Sequence, residues 1–165
     1  MPFIKDDSYW QQSDPAHTFW KTYREAYAST LVEGEWQNLD GFDILFLESS
    51  IYPDGRRLSR EANRSALFIM LYRDYPLFHL PYELLSTLLE IDQMLSLWRH
   101  RHIHLVQRTI GKRVGTGGST GADYLQKAAD THAIFKELAE LTSFLLPRAY
   151  LPKLPQSLAA DLSFD

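Results

Sequence analysis

Cysteine is missing from all 165 residues, which removes disulfides, thiolate nucleophiles and cysteine-ligated zinc, iron-sulfur or haem together. A metal held by this chain must use His, Asp or Glu. No apolar run approaches the ~18 residues of a membrane span. The opening MPFIKDDSYWQQSDP is polar and acidic, where a secretory signal would be basic and then apolar. These absences predict a cytoplasmic chain with no membrane segment. An excess of positive charge is also missing: 17 Lys and Arg face 21 Asp and Glu, a net charge of -4, which argues against a general attraction to nucleic acid or acidic lipid. Nor is there a period-two alternation, an internal repeat or a low-complexity stretch, so no strand is expected.

What is present is aromatic and apolar. Hydrophobic residues make up 45% and aromatics 13%, with nine Phe, nine Tyr and four Trp, enough for a core or for stacking on a flat ligand. A chain of this length hides roughly 70% of its unfolded surface as one domain. Asp14-Pro15 reads as a cap and first helical residue, opening a helix from about Ala16 to Glu33 before Gly34. Trp36 to Ser49 reads as a second helix, broken by Tyr52-Pro53-Asp54-Gly55. Ser59, with Glu61 in the first turn, predicts a third, running to Asp74 and ended by Pro76. Pro81 is expected to open the longest helix, which Gly111 stops after Ile110. Thr120 predicts a helix over 122–130 and Thr131 another through Leu146, while Pro147, Pro152 and Pro155 predict an extended tail. The fold class is all-α.

The long helix carries Leu84, Leu88, Ile91, Leu95, Trp98 and Leu105 in a 4-3-4-3 progression, one buried stripe by expectation, interrupted only by His102. His100 and His104 stand two positions either side, rotated about 200°, and cannot share a ligand with His102 from a regular helix. For His102 two readings stand: a core histidine with its nitrogens satisfied by neighbours, or an axial ligand to a metal centre in an apolar surround. His100 and His104 have the i, i+4 spacing of half a zinc site, but the general base of an HExxH motif and a third ligand are both missing. Arg99, Arg101, Arg108, Lys112 and Arg113 read as the wet side of the helix, or as partners for ligand carboxylates.

Beyond it, Gly115-Thr116-Gly117-Gly118-Ser119-Thr120-Gly121 lacks the Gly-Lys-Ser/Thr ending of a P-loop and no strand precedes it. Four glycines in seven residues permit a close backbone approach, with amides beside the Thr116 hydroxyl to hold a small anionic or zwitterionic ligand. A plain connection between helices is the other reading.

Taken in order, Arg56-Arg57-Leu58-Ser59, Leu71-Tyr72-Arg73, Ile91-Asp92, Trp98-Arg99-His100-Arg101-His102 and the glycine loop followed by Tyr124-Leu125 resemble the C-terminal half of tryptophan 2,3-dioxygenases, over about Phe19 to Pro152. The resemblance implies a helical bundle built around a long haem-binding helix. It implies His102 as axial ligand of haem b, with Trp98, Arg99 and Val106 against the cofactor, and Thr116, Gly117 and Gly118 against the substrate. No residue is identified as catalytic. The implied reaction inserts O2 across the indole C2-C3 bond of L-tryptophan, or of a related indole, to give N-formylkynurenine in the kynurenine route. The family's N-terminal half, with a distal motif of the FxxQHQ type and a carboxylate-binding arginine, has no counterpart in this sequence. Residues 1–165 are thus expected to be a single truncated domain, with tails 1–15 and 147–165. The missing half would come from a separate chain or through homo-oligomerisation. A haem-binding or interaction protein without catalysis, or a diverged haem-dependent aromatic oxygenase, is the alternative.

Overall fold

In the computed structural model residues 19–47, 50–110 and 133–163 are described. Their order is α1 (Phe19–Thr30), α2 (Gln37–Phe46), α3 (Arg60–Leu71), α4 (Pro76–Ile110), α5 (Lys136–Glu140), 3-10 turns Leu141–Phe144 and Arg148–Tyr150, and α6 (Gln156–Ser163). No strand occurs among them, so the all-α expectation holds. No helix among the described residues is long and apolar enough to cross a membrane. Two units emerge, one of residues 1–85 and 137–165, the other of residues 86–136.

The first unit is built on rings. Along α1, Tyr23 and Tyr27 stand four apart on one face and stack on Phe42 of α2, with centroids 5.8 and 5.6 Å away. Phe42 meets Phe46 at 4.7 Å, and Phe46 meets Phe144 edge-on at 5.3 Å. Tyr23, Phe42, Phe46, Leu67 and Leu141 have no exposed surface at all. Burying two phenols requires partners for their hydroxyls. Tyr23 donates to the Phe144 carbonyl at 2.6 Å and Tyr27 to the Ser143 carbonyl at 3.0 Å. Burial holds the Tyr23 hydroxyl protonated far above its ordinary range.

Ser59 caps α3 as its position predicts, its hydroxyl accepting from the Ala62 amide at 3.2 Å. The Glu137 carboxylate, on α5, accepts from the Arg57 and Leu58 amides just before that cap, both at 2.9 Å. Burial pushes this carboxyl up, but the two amides and the Arg56 and Arg57 guanidiniums outweigh it and hold it below the usual range. A carboxylate depressed on folding stabilises the fold above its unfolded pKa, and that contribution fades as pH falls through the folded value. Stability should therefore decline on acidification below about pH 5, and Glu137→Gln should flatten that decline; thermal melts between about pH 3 and 6 measure it.

Several boundaries differ from the sequence expectation. Helix α1 ends at Thr30, not Glu33, because the Ser29 and Thr30 hydroxyls donate back to the Ala26 and Tyr27 carbonyls at 2.7 Å and compete with the next turn. Helix α2 ends at Phe46, where the Arg64 guanidinium takes the Phe46 carbonyl at 2.8 Å. Helix α3 stops at Leu71 instead of Asp74, and α4 begins at Pro76, five residues before Pro81. Proline at a first helical position loses no hydrogen bond, whereas Pro81 inside α4 forgoes one. Fully buried Phe78 anchors that start. The helix expected through Leu146 is only α5 and a 3-10 turn. The tail expected to be extended holds the second turn and α6, since Pro155 starts a helix whose Leu158 and Leu162, four apart, are buried. The start at Asp14-Pro15 and the helix over 122–130 lie outside the described residues.

Candidate functional site

Residues 86–110 of α4 belong to the second unit. On a helix at 100° per residue, Ile91, Met94, Trp98, His102 and Leu105 share an arc of about 80°. The sequence stripe was expected to be buried; in the structure Leu84, Ile91, Trp98, His102 and Leu105 of it are exposed and Leu88 and Leu95 are half-buried, while Met94, outside the expected stripe, joins the open face. Met94 is 68% exposed, Trp98 61% and Leu105 60%, and His102 is exposed with them. The buried side lies elsewhere, at Ile103, 2% exposed and about 140° from Trp98. Periodicity establishes that residues share a face, not what covers it. An open row of large apolar side chains around one imidazole is a surface for a ligand or another chain.

Within that row the Trp98 indole and the His102 imidazole lie 5.3 Å apart at 10°, nearly parallel. The stack sets the imidazole plane against the helix, and among the described residues its nitrogens have no hydrogen-bond partner. Arg99 and Val106 are half-buried, about 80° to 100° round the helix from Trp98. His100 and His104 are exposed on the far side. Among the described residues no three His, Asp or Glu side chains gather to hold a bare ion, so the half zinc site finds no third ligand there. A single imidazole in an apolar surround instead suits a metal that brings its own equatorial ligands, as the iron of haem does. Thr116, Gly117 and Gly118 lie outside the described residues.

One residue of this unit was missed as a contact by sequence reasoning. Asp92, three turns before His102, accepts from the Ile134 and Phe135 amides at 2.9 and 3.0 Å. Its partners are some forty residues away in sequence, so no local pattern announces them.

Fold and side chains together define an all-helical protein whose longest helix presents one histidine on an open apolar face. The tryptophan 2,3-dioxygenase family profile matches residues 14–145. A tryptophan 2,3-dioxygenase of Bdellovibrio bacteriovorus is 33% identical, over 99% of this chain and 50% of its own length. That of Alteromonas mediterranea is 42% identical over 76% of this chain and 36% of its own, and that of Dictyostelium discoideum 41% over 78% and 33%. The chain belongs to the tryptophan 2,3-dioxygenase family. It spans between about a third and a half of the length of these relatives. Haem is the family's cofactor in general.

Proposed function

We propose that this chain forms the haem-bearing part of a dioxygenase that cleaves the indole C2-C3 bond of L-tryptophan to give N-formylkynurenine. The observation that carries the reading is His102, alone on the open apolar face of α4 and stacked on Trp98, in a chain of this family. His102 would ligate the iron, Trp98 and Val106 would lie against the macrocycle, and Arg99 would pair with its carboxylates. Bound haem supplies the redox centre for O2. Both oxygen atoms enter the product, so no outside reductant is consumed.

The rest is substrate holding. Thr116 and the amides of Gly117 and Gly118 would take the amino-acid end of tryptophan, and an apolar wall would exclude water from the indole. The arginine and distal histidine that the family implies are not among residues 1–165. Tryptophan should drive O2 consumption and appearance of the N-formylkynurenine absorbance when the holoprotein is combined with the half that carries them, and His102→Ala should abolish both. Haem binding without any tryptophan-dependent turnover in the complete assembly would favour a non-catalytic haem protein.

A further inference from the structure

At the C-terminal end of α3 the first unit carries a cavity of about 320 Å³, lined by none of the candidate site residues. Its floor is apolar. Met70 is 4% exposed and Leu146 9%, with half-buried Leu151 beside them. Two cationic side chains, Arg73 and Arg148, complete the lining, and their engagements differ. Arg148 gives one nitrogen to the Asp74 carboxylate at 2.6 Å. The Arg73 guanidinium lies over the Tyr82 ring, 5.3 Å from its centroid, and none of the described residues accepts a hydrogen bond from it. We propose that this cavity binds a small amphipathic carboxylate, its tail against Met70 and Leu146 and its head on the Arg73 fork.

The chemistry selects that class of ligand. Stacking occupies the flat face of the Arg73 guanidinium and leaves its in-plane N–H donors, whose forked spacing matches the two oxygens of a carboxylate. One carboxylate, that of Asp74, stands against two guanidiniums, so a positive charge is left over at the mouth. A neutral or cationic amphiphile would fill the floor and leave the fork unpaired. The volume lies at the small end of ligand sites, roughly 300 to 1,000 Å³, which suits a short acid and not a length of peptide. The inference is independent of the dioxygenase reading, since every residue it uses belongs to the first unit.

The test uses the full chain, with and without haem. Its only methionines are Met1, Met70 and Met94, so isotope-labelled methionine methyls give one NMR reporter in the cavity and another, Met94, on the open face of α4. Hexanoate should shift the Met70 methyl saturably and leave Met94 in place. Butanoate, two methylenes shorter, should bind about fifteenfold more weakly. Hexanol and hexylamine should each bind at least about tenfold more weakly than hexanoate. Arg73→Gln should weaken hexanoate about tenfold and Arg73→Lys about threefold, because lysine keeps the charge and loses the fork. Both positions are exposed, and an unchanged thermal melt establishes that the variants fold. Hexanol binding as tightly as hexanoate, or Arg73→Gln without effect, would overturn the carboxylate assignment. A Met94 shift matching that of Met70 would reveal adsorption to any open apolar surface and overturn the site, as would no Met70 shift at about 10 mM hexanoate. An acidic peptide that displaces hexanoate at lower concentration would overturn the small-molecule reading.

Discussion

His102→Ala should abolish the Soret band of the haem-loaded protein, while His100→Ala and His104→Ala keep it. Exposure does not separate the three, for all are exposed. Their surroundings do. His102 shares its face with Trp98, Leu105 and Met94, which stand open to solvent and gain by covering an apolar macrocycle at about 25 cal/mol per Å². His100 and His104 point about 200° away, where no such row is available. The predicted loss of affinity is more than about a hundredfold, above what the loss of an outer-shell partner alone costs. His102→Gly with added imidazole should restore the band, because the missing ligand is small and its place is solvent-accessible. Equal haem binding by the three alanine variants would show that the iron is held elsewhere.

The same row shows what was legible in the sequence. The 4-3-4-3 spacing places Ile91, Trp98 and Leu105 on one face of one helix, and the structure agrees. That this face is open was not legible, since spacing is blind to the far side of a contact. Ser59 was legible as a cap because the signal is local: a hydroxyl three residues before the amide it accepts. Pro76 and Pro81 misled because proline marks both the end of one helix and the start of the next, and buried Phe78 decides between them. The clamps of Asp92 and Glu137 were invisible, because each carboxylate finds amides about forty or eighty residues away. Helix α6 was hidden by the three prolines that precede it, although Leu158 and Leu162 carry its i, i+4 pair.

The second large effect expected is on tryptophan itself. Thr116 and the amides of Gly117 and Gly118 are the amino-acid-binding groups proposed above, and each hydrogen bond would contribute about 1 kcal/mol net. Three such bonds do not reach the ~4 kcal/mol that even millimolar affinity requires after association costs. L-tryptophan titrated into the ferrous holoprotein alone should therefore perturb the haem spectrum only at millimolar concentration or above. If a completing half supplies a carboxylate-binding arginine, it would add a forked, charge-assisted pair, and the indole would gain a second apolar wall. Together these are worth the further ~4 kcal/mol that carries the dissociation constant into the micromolar range, about a thousandfold tighter. Thr116→Ala should weaken binding about fivefold to tenfold in that assembly and should have no resolvable effect on the lone chain. Micromolar binding by the lone chain, unchanged in Thr116→Ala, would mean that its tryptophan pocket is built from other residues. The open face of α4 would then be the place to look for them, with Met94 and Leu105 as the first side chains to replace.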